Sequence, residues 1–209
     1  MRIHTRLLAA VALAAAPVLV AAPAAAQTAA TPADAAAAGK FVDGLADQAF
    51  TILRDKSVSR SAARAKFRTL LKTNFAVDEI GARLIRRQRA TLTPAQLQQY
   101  RAIFPDWVVG TYADRLYDYA NSDLKIVRTL PRGQRGDVDV MTRITLPSGG
   151  QPIDATWSVK KTESGAFVIQ NLTVAGVNLS LTQEADFSAY IQKNGFDGLL
   201  KFMRDAAKA

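Results

Sequence analysis

The chain has 209 residues, a formal net charge of +9, one histidine and no cysteine. The histidine, His4, lies in the leader-like start, so the rest of the chain carries neither imidazole nor thiol. This excludes serine–histidine and cysteine–histidine catalysis, leaves zinc and haem without their usual ligands, and removes disulfides as a source of stability.

Residues 1–26 read as a secretory signal: Arg2 and Arg6, then an apolar run from Leu7 to Val20, then Ala24-Ala25-Ala26 before Gln27. A membrane anchor is the poorer reading, because the run is short for a span and Pro17 interrupts it. Cleavage after Ala26 leaves residues 27–209, and seven of the nine net positive charges stay with them. This length suits one domain with a full core. A basic exported chain is suited to anionic headgroups or acidic protein faces, and a solubilising surface charge accounts for the same balance at least as well. Nucleic acid is not expected, since basic and aromatic residues are not interleaved.

Residues 27–38 are Ala-rich and lead into a helix over about 35–53, with Phe41, Leu45, Ala49 and Ile52 at helical spacing. A second helix carries Phe67, Leu70, Leu71 and Phe75. A third sets Ile80, Leu84 and Ile85 against Arg83, Arg86, Arg87 and Arg89. Thr93-Pro94-Ala95-Gln96 is a capping-box start. The helix after it reaches about Tyr119, with Pro105 expected to kink or break it.

The apolar period then changes from 3.6 to 2. Strands are predicted at Asp123–Leu130, Gly136–Leu146, Ile153–Lys161 and Ala166–Gly176. The second alternates Val138, Val140, Ile144 and Leu146 with Asp137, Asp139, Met141 and Arg143. In the last, the apolar phase slips near Gln170-Asn171, which predicts a bulge or strong twist. Two short helices follow, one holding Phe187 and Ile191 and one holding Phe196, Leu199, Leu200 and Met203, with Asn194-Gly195 between them. The fold class is α+β: N-terminal helices packed on the apolar face of an antiparallel sheet of about four strands, then C-terminal helices, in a single domain over 27–209. No glycine-rich phosphate loop and no spaced carboxylate pair are present.

The stretch Val174-Ala175-Gly176-Val177-Asn178-Leu179, the helix Glu184 to Ile191, and Gly195-Phe196-Asp197-Gly198-Leu199 together resemble the MlaC-type family. The Thr-Pro-start helix with Phe104, Tyr112 and Tyr119, and Phe75 with Asp78, carry the same likeness. These are periplasmic phospholipid-binding proteins, also called toluene-tolerance proteins, serving an ABC lipid-transport system. The sequence departs from the family pattern at Asn178, where the turn usually has serine, at Asn171, where an acid is common, and at Ile85-Arg86 with Gln88 and Arg89 before the Thr-Pro helix.

The resemblance implies a carrier without cofactor or catalysis, with a hydrophobic cavity between sheet and helices. Its expected lining is Val138, Val140, Ile144, Trp157, Val159, Leu172 and Val174 from the sheet, and Phe104, Val108, Tyr112, Leu116 and Phe187 from helices. Arg83, Arg86 and Arg87 are the candidate headgroup or partner contacts. The implied partners are a phospholipid ligand, an inner-membrane ABC transporter with an MCE-domain subunit, and an outer-membrane lipoprotein complex. Three other readings stand beside it: a carrier of a hopanoid or other hydrophobic molecule, a periplasmic scaffold with a filled core, and, last, an enzyme using carboxylates alone.

Overall fold

The computed structural model describes residues 30–133 and 136–208; the predicted signal lies outside them. The element order is α1 (Pro32–Arg54), α2 (Arg60–Asn74), α3 (Val77–Leu84), α4 (Pro94–Leu116), β1 (Asp123–Arg132), β2 (Asp137–Thr145), β3 (Ile153–Lys161), β4 (Phe167–Val174), β5 (Val177–Asn178) and α5 (Leu179–Lys208). The strands form one antiparallel sheet in sequential order. It is the expected α+β arrangement, with a fifth strand of two residues where about four were expected.

Local chemistry sets the boundaries. Thr31 caps α1 and exchanges hydrogen bonds with Asp34, and Thr93 does the same with Gln96 at α4. Each helix has proline in its first turn, where a missing N–H costs nothing. Pro105 does not break α4, which runs unbroken to Leu116. Packing on both sides of α4, in the helical core and against α1 and α2, outweighs the one backbone bond the proline forfeits. The break expected at Asn194-Gly195 is present: Gly195 adopts φ 72° and ψ 170°, dividing α5 into 179–194 and 196–208.

The sheet has two bulges. In β1 the extra residue is Val127, which turns outward and is exposed. In β4 it is Gln170, at the predicted phase slip. The β4–β5 turn uses Ala175 (φ 49°) and Gly176 (φ 81°), the positive values of a two-residue hairpin turn that matches strand twist. Because β5 is so short, most of β4 would be a bare edge. The link between α2 and α3 lies beside it instead, and the Ala76 N–H donates to the Ile169 carbonyl at 2.9 Å.

Two main cores result. One lies between α1 and the sheet. The other is all-helical, where α3, α4 and α5 meet around Tyr100, Phe104, Trp107, Phe187, Leu199 and Met203. A smaller cluster of Leu53, Phe67, Val109 and Ala113 joins α1, α2 and α4. The α4–α5 seam is tight at Gly110, where a Cβ would overlap the Ala206 carbonyl. Gly110→Val should therefore lower the unfolding free energy by about 1–3 kcal/mol, read as a lower urea midpoint. An unchanged midpoint would contradict so close a seam.

Candidate functional site: the apolar face of the sheet

The apolar face of the sheet has two halves that differ in cover. On the first, α1 presents Ala35, Ala38, Val42 and Leu45, at spacings of three and four, against Val138, Val140, Val159 and Ile169. Small residues let the helix lie close: a Cβ on Gly39 would stand 3.2 Å from Thr129 Cγ2. Both ends of α1 are fastened. Lys161 Nζ reaches Asp34 Oδ1 at 2.7 Å. At the other end, Arg54 Nε donates to the Ala120 carbonyl at 2.7 Å, and its Nη2 to the Ser122 carbonyl at 3.3 Å. Hydrogen bonding by Lys161, then by the Thr31 backbone, holds the Asp34 carboxyl well below the usual range. Its contribution to stability is therefore present above the ordinary aspartate range and fades as the pH falls below it.

On the second half, Ile144, Ile153, Leu172 and Val174 are only half-buried, although they sit on a strand face that is otherwise closed. Trp157, also half-buried, stands between the two halves. Its indole N–H donates to Thr142 Oγ1 at 3.0 Å, and the Thr142 hydroxyl in turn points at the Ala155 carbonyl. The polar end of the tryptophan is thus satisfied within the sheet, which frees its ring to act as apolar wall. On α4, Val108 and Tyr112 are half-buried and Leu116 is 38% exposed. These three recur at every fourth residue and so share one helix face.

The twelve expected lining residues therefore fall in three places. Val138, Val140 and Val159 are fully buried under α1. Phe104 and Phe187 are in the all-helical core. Ile144, Trp157, Leu172 and Val174 on the sheet and Leu116 on α4 keep accessible apolar surface, as do Val108 and Tyr112, which pack against the all-helical core.

The three arginines make specific contacts. Arg83 Nη1 donates to the Gln170 carbonyl at 3.2 Å, satisfying the bulged residue of β4. Arg86 Nε and Arg87 Nε approach Glu184 Oε1 at 2.7 and 3.3 Å. The Glu184 side chain is 5% exposed while those of the arginines are 60% and 67% exposed. Gln88 Nε2 donates to Ser188 Oγ at 2.7 Å, one helical turn further along α5. The connector between α3 and α4 is thereby pinned to α5. Glu184, Gln88 and Ser188 were not among the expected site residues. The sequence signal was the polar pair Glu184 and Ser188, four apart, flanking the apolar Phe187.

A separate cleft of about 330 Å³ opens between α4 and the two halves of α5. Trp107, Phe187 and Leu199 form its buried wall, and Arg115, Asp186 and Phe202 stand at its exposed rim. Thr111, Tyr112, Gln183 and Tyr190 complete it, and no strand residue lines it. The Tyr112 hydroxyl bonds Gln183 Oε1 at 3.1 Å. Among the described residues no cluster of metal-ligating side chains occurs, and no helix is long and apolar enough to cross a membrane.

The family model for the MlaC protein matches residues 43–205. The chain belongs to the MlaC family. Its fold is also similar to that of a phospholipid-binding protein from Ralstonia solanacearum, solved in complex with a phospholipid. That match has a TM-score of 0.68 at 21% identity, and covers 82% of this chain and 97% of the other. Two of this chain's departures from the family pattern have local explanations. Asn178, in the serine position, accepts the Leu181 N–H at 3.1 Å and so caps α5 as a serine would. Arg86, in the connector, is matched by the buried Glu184.

The double variant Arg86→Ala/Arg87→Ala should cost about 1–3 kcal/mol of unfolding free energy, because it leaves a buried carboxylate without a cation. Adding Glu184→Gln should recover a large part of that loss. Equal urea midpoints for wild type and the double variant would show that the pair contributes nothing.

Proposed function

We propose that this protein is a non-catalytic periplasmic carrier of a diacyl phospholipid, working as the soluble member of an ABC-type lipid-transport system. The observation that carries this reading is the incompletely covered half of the sheet, where Ile144, Trp157, Leu172 and Val174 keep accessible apolar surface; the reading sets Val108, Tyr112 and Leu116 of α4 across from them. Water on such a surface is unfavourable, and each methylene buried there gains about 0.8 kcal/mol. Membership of the MlaC family and a fold shared with a protein solved around a phospholipid support the same reading.

In this reading the acyl chains lie against that half of the sheet, and α4 and the start of α5 form the opposite wall. The headgroup stays in water, where Arg86 and Arg87, held at one edge by Glu184, keep N–H donors facing solvent. Arg83 is occupied with the β4 bulge and serves as scaffold. Export through the predicted signal brings the chain to the compartment where such a lipid must cross water. The proposed donors and acceptors are an MCE-domain ABC transporter at the inner membrane and a lipoprotein complex at the outer membrane. Energy for directed movement comes from the transporter, since this chain has no nucleotide-binding motif.

Native mass spectrometry of residues 27–209, purified without detergent, tests this directly. Wild-type protein should carry a diacyl phospholipid. Leu172→Trp should lose most of that load while keeping its circular dichroism and melting temperature. Val140→Trp, at a position fully buried under α1, should instead cost about 1–3 kcal/mol of stability by overpacking. A wild-type protein that stays empty after incubation with phospholipid vesicles would sink the proposal; a bound polycyclic lipid would replace phospholipid with hopanoid.

A further inference from the structure

Seven large apolar side chains are exposed among the described residues, and three of them fall within five positions: Val177 (49%), Leu179 (36%) and Leu181 (58%). The sequence around them, Val174 to Gln183, contains no charged residue. A single exposed aliphatic residue needs no explanation, but a contiguous set does. The segment is also held in shape. Ala175 and Gly176 make the tight turn, Val177 pairs with Val174 across it, and the Asn178 side chain accepts the Leu181 N–H at 3.1 Å. The result is a firm apolar ridge rather than a loose loop.

Its place in the fold supplies the second observation. Paired residues of adjacent strands share a sheet face, so Val177 continues the face that holds Val174 of the incompletely covered half. On the other side, Leu181 and Glu184 are three apart and adjacent on the surface of α5. Glu184 is where Arg86 and Arg87 gather, with side chains 60% and 67% exposed. The carboxylates nearby are engaged elsewhere. Glu184 is paired with those arginines. Asp154, whose carbonyl accepts the Ala175 N–H, is paired with Arg143. Asp186, the next acid along α5, stands at the rim of the α4–α5 cleft.

We infer that this ridge docks the protein on the surface of an anionic bilayer: Val177, Leu179 and Leu181 enter the headgroup layer, and Arg86 and Arg87 lie against its phosphates. A lipid surface fits the ridge better than a protein does. Three aliphatic side chains on a convex turn offer far less than the ~800 Å² per partner of a stable protein interface. At a membrane a short apolar insertion flanked by cations is enough, because burial and attraction to anionic lipid add. Docking there also turns the open half of the sheet toward the lipid, since Val177 adjoins Val174. The contact is with the bilayer surface and is independent of what the sheet carries.

The chain contains no cysteine, so one introduced cysteine labels one site. Leu181→Cys and Val127→Cys place an environment-sensitive nitrobenzoxadiazole dye at two positions of equal exposure, 58%, at opposite edges of the sheet. Vesicles of equal parts phosphatidylglycerol and phosphatidylcholine should raise and blue-shift the emission at 181 and leave that at 127 unchanged. Pure phosphatidylcholine vesicles, or high salt, should weaken binding at least about fivefold, the scale of one guanidinium at an anionic surface. Leu179→Ser/Leu181→Ser, at exposed positions, should weaken cosedimentation with the mixed vesicles about tenfold while keeping the melting temperature. The response at 181 should persist in the Leu172→Trp background, whose sheet side is blocked. No response at 181, an equal response at 127, or binding indifferent to both salt and the serine variant overturns the inference. So does a response lost in the Leu172→Trp background, which marks a carried lipid. A response that grows with protein concentration in the absence of vesicles marks a second copy and overturns it too.

Discussion

Everything in this fold depends on how closely α1 can lie on the sheet. Ala35, Ala38 and Gly39 put almost no bulk between helix and strands, so Val138, Val140 and Val159 are sealed completely. The seal is local because α1 is held at both ends, by Lys161 on Asp34 and by Arg54 on the carbonyls before β1. A helix fixed in this way covers β1 and β2 and cannot also roll over the far half of β3 and β4. Part of the remaining apolar surface falls to α5, which packs on β4 and β5, while α4 and α5 meet each other through a different, all-helical core. One sheet therefore serves as foundation on one half and as a greasy wall on the other.

The polar groups that look functional in such a protein have mostly structural duties. Arg83 satisfies the carbonyl exposed by the β4 bulge, and Arg86 and Arg87 share the buried Glu184 carboxylate. These contacts fix the α3–α4 connector against β4 and α5. A carrier can exploit that arrangement, because a guanidinium with one N–H committed still presents others to an anion in water. The same connector holds residues at which the sequence reads as departing from the family pattern, and one of them, Arg86, is met by the buried Glu184.

Much of this was legible in the sequence because it rests on local rules. The capping box at Thr93, the alternation in β2 and β3, the phase slip at Gln170 and the break at Gly195 each have a near-neighbour cause. Two features have no such local cause. Pro105 does not break α4, because tertiary packing on two sides outweighs one lost backbone bond. The fifth strand is two residues long, too short to give a period. The division of the sheet face could not be read at all. Val140 and Ile144 share one strand, one parity and similar chemistry, yet one lies under α1 and the other does not. That difference comes from where a helix about a hundred residues away ends, which periodicity does not encode.

The central claim is that acyl chains lie on the half of the sheet that α1 leaves open. Photo-crosslinking with a phosphatidylethanolamine bearing a diazirine near the end of an acyl chain, followed by peptide mass spectrometry, tests it most directly. The account predicts adducts on β2, β3 and β4 around Ile144, Trp157, Leu172 and Val174 and on α4 around Leu116, with none on Val138 or Val159. Adducts confined to the basic connector, or to the surface of α1, would contradict it.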